Sequence, residues 1–310
     1  WGTLTGIRPT KLPMAFYDSG RSQEEAAEYL RQTYKVSEEK IRLCTQVAAN
    51  EKRILEGVDK ERSFSLYIGI PFCPTICLYC SFSSYPLNIW AKEVDHYLEA
   101  LFKEIRQIRS MVDKSCMTTV YMGGGTPTSL NGEQMDRLLS VLEENFDLNI
   151  AREFTVEAGR PDSVTQDKLR VIKNHGIERI SINPQTMNQK TLDVIGRRHT
   201  TEDVERAFDM ARRVGFSNIN MDLILGLPGE SSEDVANTLE RIGKLAPESM
   251  TVHSLAVKRA SRLNQNLELY PPASQEEVNR MIHMAWQAAE AMGLEPYYLY
   301  RQKNMAGNLE

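Results

Sequence analysis

Tyr67-Ile68-Gly69-Ile70-Pro71-Phe72-Cys73-Pro74-Thr75-Ile76-Cys77-Leu78-Tyr79-Cys80 is the stretch that decides the fold, because it places three cysteines in a loop directly after an apolar strand. The thiols have C-x3-C-x2-C spacing. Thiolates are soft ligands suited to iron–sulfur clusters, and a compact loop can bind three irons of a cubane and leave the fourth iron open. The stretch therefore predicts a cluster held by Cys73, Cys77 and Cys80.

A structural zinc site is the alternative interpretation of these cysteines. Such a site needs four closed ligands, usually as two separated pairs, and no second Cys or Cys/His pair follows in the sequence. Cys116 is the only plausible fourth ligand, and it stands alone, as does Cys44. In a cytosolic chain a tight group of cysteines is typical of metal or redox chemistry rather than of disulfides. The spacing favours the cluster.

Short apolar runs alternate with helical patterns along the rest of the chain. Six runs read as strands, over 64–70, 118–122, 153–157, 179–182, 218–224 and 250–253. The clearest helical pattern between them places apolar residues three and four apart from Val94 to Ile108. Connections too long for hairpins predict a parallel sheet of right-handed βαβ units. The expected fold class is α/β, an incomplete (β/α)6 TIM-like barrel whose open side could admit a large substrate.

The chain of 310 residues is expected to have three parts, an N-terminal helical segment over 1–62, the barrel over 63–265, and the start of a truncated C-terminal, substrate-covering region over 266–310. Helices are predicted over 22–33 and 37–57, each opened by a serine before acidic residues, and over 274–292. Because the first residue is Trp1 and the chain stops without a terminal signal, we interpret it as a fragment.

Composition limits the classes of partner. A share of 41% hydrophobic and 25% charged residues predicts a globular protein with a large core. No apolar run approaches the roughly 20 residues that span a bilayer, and no signal-peptide pattern opens the chain, so we expect a cytoplasmic protein without a membrane partner. The net charge of -5 gives no general attraction to nucleic acid, which is likewise not expected as a partner.

Polar residues occupy the predicted strand ends, where barrel enzymes carry their chemistry. The second strand runs into Gly123-Gly124-Gly125-Thr126-Pro127-Thr128, and the later strands end at Glu157, at Asn183 and Gln185, at Asp222 and at His253. Glycines expose backbone N–H groups to a carboxylate, although a tight turn is the alternative. His253 is as readily a core histidine as a catalytic one.

Two carboxylates among these strand ends are predicted to contact a ligand. Glu157 follows Phe154 and Val156 in strand alternation and points where a ligand amine could sit, with a surface ion pair as the alternative. Asp222 lies inside an apolar run, and burying an unpaired carboxylate costs several kcal/mol. It therefore needs a partner, either Arg197 or a ligand hydroxyl.

The cysteine motif, with an aromatic residue before its last cysteine, resembles the radical S-adenosylmethionine (SAM) superfamily. The motifs YIxIPFC, GGGTPT, IGRxHT and DLIxGLPG follow one another at 67–73, 123–128, 195–200 and 222–229. In that order they resemble the oxygen-independent coproporphyrinogen III oxidase family, from about Tyr67 to Ala256. The later segments 257–261 and 298–305 look like its coproporphyrinogen dehydrogenase branch.

This resemblance implies a 4Fe–4S cluster whose open iron is chelated by the amino and carboxylate groups of SAM. In the family, an electron from a low-potential donor, which the sequence does not identify, splits SAM to methionine and a 5'-deoxyadenosyl radical. The implied reaction is the oxidative decarboxylation of two propionates of coproporphyrinogen III to the vinyls of protoporphyrinogen IX, in haem biosynthesis. The cofactor carries the chemistry, and the protein orients it.

Carried over residue by residue, the resemblance implies SAM contacts from Tyr67, Tyr79, Gly124, Gly125, Thr126, Glu157, Gln185, Arg197, Asp222 and Ala256. The implied roles are recognition of the amino-acid part by the glycines and Glu157, ribose binding by Gln185 or Asp222, carboxylate pairing by Arg197 and adenine packing by Tyr79. After the sixth strand, Lys258, Arg259 and Arg262 could pair with propionates, since arginine offers a bidentate fork. A solvated basic loop is the alternative.

Two positions depart from the oxidase pattern. Gly69 stands where better-known members often have His, and Ser81-Phe82 replaces a Gly-Cys pair after the cluster. The Ser-Phe ending resembles the haem-chaperone relatives, which keep the cluster and are thought to deliver haem. Three alternatives therefore stay open: a haem-trafficking protein of the same fold, a radical SAM enzyme acting on another substrate, and a zinc module.

Overall fold

The computed structural model describes residues 1–300 of the chain. Its central sheet contains six strands in chain order, β1 (Phe64–Ile70), β4 (Met117–Gly124), β5 (Glu153–Glu157), β6 (Arg179–Ser181), β7 (Asn218–Leu225) and β8 (Ser249–Ser254). All neighbouring pairs in this sheet are parallel. A separate parallel pair, β2 (Phe72–Cys73) and β3 (Tyr85–Pro86), follows β1. The predicted incomplete (β/α)6 barrel is confirmed, with β1 and β8 as the sheet edges.

Helices alternate with the strands of the central sheet along the chain. They are α4 (Leu87–Trp90), α5 (Val94–Met111), α6 (Gly132–Asn145), α7 (Gln166–Asn174), α8 (Gln189–Val194), α9 (Thr201–Val214), α10 (Ser232–Leu245) and α11 (Gln275–Ala291). Asn131, Thr200 and Ser231 open α6, α9 and α10 with capping boxes, which satisfy backbone N–H groups at the helix starts. Met281 and Ala285 of α11 join the main core, so this helix packs as the helical partner of the sixth strand.

Three helices precede the barrel, α1 (Lys11–Asp18), α2 (Gln23–Tyr34) and α3 (Glu38–Ile54). Ser22 caps α2 through a capping box with Glu25, whereas Ser37 occupies the N-cap position of α3 without a side-chain cap bond. Helix α1 was not predicted from the sequence; Pro13 lies in its first turn, where proline is tolerated. Leu30 and its neighbours form a small core of their own here. The division of the chain at residues 62 and 265 stays a prediction.

The two faces of the central sheet differ in character. Ile68, Met122, Val156 and Ile180 belong to the main core, in which the strands pack against the surrounding helices. Residues that alternate with them are polar and contact one another on the other face, as Tyr121 does with Glu157. Because apolar residues usually fill a barrel of this kind, a polar interior indicates a binding site rather than a core.

Within residues 1–300 no helix is long and apolar enough to cross a membrane. Residues 301–305, which complete the branch-specific segment that begins at Tyr298, lie outside the described residues.

Candidate functional site

The carboxyl ends of the strands meet at one edge of the sheet, as parallel pairing requires. Ile70 at the end of β1 pairs with Gly124 at the end of β4, and Leu225 of β7 pairs with Ser254 of β8. Glu157, the last residue of β5, pairs with Ser181. The cysteine loop leaves β1 at this same edge, so the predicted cluster ligands and the predicted polar strand ends share one region of the fold.

The cysteine loop is held across the top of the barrel by backbone hydrogen bonds. The N–H of Leu78 donates to the Ile195 carbonyl at 2.9 Å, and the N–H of Leu263 donates to the Leu78 carbonyl at 2.9 Å. These bonds tie the loop to the segments that follow α8 and β8. Cys73 and Cys77 are buried by this arrangement. The loop is therefore anchored on both sides before any ligand is considered.

Hydrogen-bond donors surround the sulfur of Cys77 in particular. Arg160 Nη1 lies 3.8 Å from Cys77 Sγ, and Arg197 and Tyr79 also hydrogen-bond to this sulfur. Cys73 Sγ lies 3.5 Å from the Thr126 hydroxyl. Two buried guanidinium groups thus lie beside one sulfur, and such donors would stabilise the negative charge that a cluster places on its cysteine ligands.

The three thiols of the loop are a donor set of the kind that a cubane cluster takes. Among residues 1–300 no three His, Cys, Asp or Glu side chains converge as a single metal ion requires. In a cubane the three thiolates bind different irons and need not converge on one point. The soft donor set of Cys73, Cys77 and Cys80 fits the cluster chemically, and the assignment of these three ligands stays a prediction.

The glycine run packs directly against the cysteine loop. A Cβ added at Gly125 would lie 2.7 Å from the Phe72 carbonyl and 3.0 Å from Cys73 Sγ, and one added at Gly123 would lie 3.0 Å from the Glu157 carboxyl. Gly124 has a φ of 110°, which favours glycine. The N–H of Gly125 donates to the Ile70 carbonyl at 2.7 Å, so this N–H serves the turn. The run thus makes room for its neighbours as well as turning the chain.

Glu157 is the central charge of the polar interior. The Tyr121 hydroxyl donates to Glu157 Oε1 at 2.6 Å. Burial raises the pKa of Glu157 to about 7; the Tyr121 hydrogen bond opposes this rise, and the negative charge of Asp222 adds to it. A cationic amine bound beside such a carboxyl would favour its ionised form and pair with it.

Asp222 has a partner within its own strand that the sequence analysis did not name. Asn220 Nδ2 donates to Asp222 Oδ1 at 2.6 Å, because the two residues alternate along β7 on the same face. Of the two partners expected for Asp222, Arg197 does not contact it in the structure, and a ligand hydroxyl stays a prediction. Arg197 is buried and donates to the carbonyls of Asn183 and Gly159, and its Nε has no partner among the described residues.

Gln185 combines a strained backbone with an unsatisfied side chain. Its φ is 69°, a left-handed conformation that few residues other than glycine adopt. Its N–H donates to the Asp222 carbonyl at 2.9 Å, and its own carbonyl accepts from the Ile224 N–H at 2.9 Å. Gln185 Oε1 is buried and lacks a hydrogen-bond partner in the described structure. Leaving such an acceptor unpaired costs about 1–3 kcal/mol, which a bound ligand with a hydroxyl or amine would recover.

The other predicted SAM contacts lie around this interior. Tyr67 is 60% exposed and stacks on Tyr121, with ring centroids 6.0 Å apart and planes 9° from parallel. Tyr79 packs against the small apolar cluster that includes Leu78, and burial raises its pKa. Ala256, just beyond β8, is half-buried.

The basic residues beyond β8 divide between two environments. Lys258 is half-buried and Arg259 is exposed. Arg262 contacts the cysteine loop, since its Nη2 donates to the Ile76 carbonyl at 2.5 Å.

Arg160 is a site residue that the sequence analysis missed. It is only 3% exposed, forms an ion pair with Asp162 at 2.9 Å, and donates from Nη1 to the Thr75 carbonyl at 3.1 Å. These contacts link the segment after β5 to the cysteine loop. Its one sequence signal was an arginine placed next to Pro161 directly after a buried strand.

The sequence of the chain is similar to those of known proteins. Residues 67–242 match the sequence profile of the Radical SAM superfamily. The chain is 44% identical over 314 residues to the oxygen-independent coproporphyrinogen-III oxidase-like protein HemZ of Bacillus subtilis, an alignment that covers 100% of this chain and 63% of that protein. It is 37% identical over 240 residues to the heme chaperone HemW of Bacillus subtilis, covering 75% of this chain and 62% of that protein.

A solved structure supports the same placement. Coproporphyrinogen III oxidase (HemN) from Escherichia coli, described as a radical SAM enzyme, superposes with a TM-score of 0.64 at 27% identity, covering 84% of this chain and 57% of that one. The chain spans less than two thirds of the length of these relatives. Because the profile covers more than half of the chain and includes the cysteine loop, the chain belongs to the radical SAM superfamily, whose members use a 4Fe–4S cluster and SAM.

Proposed function

We propose that the chain is the core of a radical SAM oxidoreductase that decarboxylates coproporphyrinogen III oxidatively to protoporphyrinogen IX, in oxygen-independent haem biosynthesis. The observation that carries this proposal is the similarity to the oxidase-like protein HemZ along the entire chain. The polar interior beside the cysteine loop supports it, because a barrel filled with apolar side chains would leave no room for a cofactor and a substrate.

The residues have distinct roles in holding the cofactors. Cys73, Cys77 and Cys80 would bind three irons and leave the fourth for the amino-acid part of SAM. When bound, the cluster and SAM supply one-electron chemistry that no side chain can perform. The remaining work of the protein is to orient the bound groups and to satisfy their polar atoms.

The polar atoms of the interior match the functional groups of SAM. The Glu157 carboxylate would accept a hydrogen bond from the amine, and the unpartnered Nε of Arg197 would donate to the carboxylate. Gln185 Oε1 and Asp222 would accept from ribose hydroxyls. Tyr67, Tyr79 and Ala256 would contact the ligand at its margins, and Gly124, Gly125 and Thr126 would line its path beside the loop.

The substrate would enter through the open side of the barrel between β1 and β8. Coproporphyrinogen III carries propionate carboxylates, and we propose Lys258 and Arg259 as their partners, since both lie just beyond β8. The substrate is a small molecule, and a low-potential donor must supply the electron. We also propose a cytoplasmic location, where thiols are kept reduced and available for a cluster.

Anaerobic turnover tests the proposed reaction. The full-length protein, with its cluster reconstituted, is incubated with a reductant, SAM and coproporphyrinogen III, and product is followed by chromatography together with release of carbon dioxide. The proposal predicts protoporphyrinogen IX in the complete mixture and none when SAM is omitted. Cleavage of SAM without decarboxylation would assign the chain to another substrate.

A haem-trafficking role is the second candidate, and two observations favour it. The chain is 37% identical to the heme chaperone HemW over 75% of its length, and Phe82 of the Ser81-Phe82 ending is 76% exposed beside the cysteine loop. An exposed aromatic ring could pack on a flat macrocycle. Titration with haem separates the two functions, because a trafficking protein binds haem tightly and releases no carbon dioxide from coproporphyrinogen III.

A further inference from the structure

The cysteine loop has a second face, which lines a pocket open to solvent. Pro74, Thr75 and Ile76 border this pocket of about 380 Å³, and its other lining residues are Pro86, Asn88, Gly196, Arg198 and Arg262. We call it the loop pocket. None of these residues is among the interior groups around Glu157. The loop therefore separates the polar interior from a surface that a macromolecule can reach.

The wall of the loop pocket is close to a cluster ligand. Thr75, which lines the pocket, lies midway between Cys73 and Cys77 in sequence. Arg160 Nη1 donates to the Thr75 hydroxyl at 3.0 Å and lies 3.8 Å from Cys77 Sγ. One buried guanidinium thus connects the pocket wall to the ligand sulfur through two short contacts. An electron that arrives at this surface would have a short path to the Cys77 sulfur, which would bind the cluster.

The loop pocket is basic although the whole chain is acidic. Arg198 is exposed, and Arg262 lies across the pocket with its guanidinium on the Ile76 carbonyl. In the part of the chain that the structure describes, neither guanidinium forms an ion pair with a carboxylate. The net charge of the chain is -5, so the chain as a whole repels an acidic protein, whereas the two arginines of this pocket attract one. Such local charge steers the encounter of two proteins and sets their orientation.

We propose that the loop pocket is the docking surface for an acidic protein that carries a one-electron redox group and reduces the cluster. The inference rests on the proposed cluster and SAM chemistry. In this step one electron leaves the reduced donor and enters the oxidised 4Fe–4S cluster, so the donor is oxidised by one electron and the cluster is reduced by one. No covalent bond forms or breaks. Arg198 and Arg262 orient the donor against Thr75 and Ile76 of the cysteine loop.

Charge reversal tests the docking surface without relying on turnover. The double variant Arg198→Glu/Arg262→Glu is compared with Arg106→Glu/Arg170→Glu, which makes the same charge change at exposed arginines of α5 and α7. Bleaching of the reconstituted cluster is followed by stopped flow after mixing with a reduced acidic flavodoxin, or with dithionite. The loop-pocket variant should be reduced about tenfold more slowly by flavodoxin at low ionic strength, with the difference shrinking in salt. Dithionite, which needs no docking, should reduce all proteins at the same rate.

Three results would overturn the proposal. They are an unchanged rate with flavodoxin, an equal slowing in the α5 and α7 variant, and an equal slowing with dithionite, which would assign the effect to the cluster itself. Iron and sulfide analysis keeps this test separate from the proposed function. A wild-type protein that assembles no cluster refutes both, whereas a normal cluster with unaltered flavodoxin kinetics refutes only the docking surface.

Discussion

Protonation of Glu157 is expected to weaken SAM binding. In the proposed site the ionised carboxyl accepts a hydrogen bond from the ligand amine, and burial places its pKa at about 7 before the ligand binds. With that pKa, the ionised fraction falls from about nine tenths at about pH 8 to about one tenth at about pH 6. Because the apparent Kd varies inversely with the binding-competent fraction, affinity should fall about tenfold over this interval, or about 1.4 kcal/mol.

Anaerobic calorimetry of SAM binding over this pH range provides the assay, with two variants. Glu157→Gln should bind about 10- to 100-fold more weakly at about pH 8, the range for losing a hydrogen bond to a charged group, and should lose the part of the pH dependence that Glu157 supplies. Titration of the ligand amine contributes equally to both proteins and cancels in the difference. Glu230→Gln is the matched control, because burial also raises the pKa of Glu230 to about 7 while its carboxyl accepts from Thr186 outside the interior. The same pH profile in wild type and Glu157→Gln would refute the assignment.

Three further predictions concern the cysteine loop. Cys77→Ala should abolish the cluster, measured as iron and sulfide per chain, whereas Cys116→Ala should retain it; loss in the second variant would mean that the ligands are misassigned. Arg160→Met should make the reduction potential of the cluster more negative by about 60 mV, equivalent to about 1.4 kcal/mol for one electron, in an EPR-monitored redox titration, and an unchanged potential would contradict the contact with the Cys77 sulfur. Gly125→Ala should lower thermal stability or cluster content, since its Cβ would lie 2.7 Å from a backbone carbonyl, while Gly132→Ala, with no atom within 4 Å, should leave both intact.

The features that could be predicted from the sequence are those with a local pattern. Strand β1 and its cysteine loop are contiguous, and the alternation of apolar strands and helices predicts the parallel sheet. Once the strands are parallel, their carboxyl ends must share an edge, so Glu157 and Asp222 could be assigned to one site without any structure.

The features that were missed depend on contacts between distant segments. Arg160 donates a hydrogen bond to Thr75, which lies 85 residues earlier in the chain, and the sequence around Arg160 does not indicate this contact. The partner of Asp222 is Asn220, two residues earlier on β7. Residues two apart on a strand point to the same face, so these two side chains are neighbours. The position of Arg262 on the cysteine loop likewise follows from tertiary structure alone.

The same limit applies to backbone conformation. The left-handed φ of Gln185 is stabilised by its hydrogen bonds to β7, which form only when the segment after β6 packs beside that strand. Short elements such as β2 and β3 carry too few residues for a periodic signal and were not expected.

The most direct test of the central claim is the EPR spectrum of the reduced, reconstituted protein before and after SAM is added. A cluster held by Cys73, Cys77 and Cys80 has an open iron, so SAM should bind that iron and change the g values. Four irons with sulfide and a SAM-dependent spectrum are the predicted result. A spectrum that SAM leaves unchanged, or zinc without sulfide, would contradict the account.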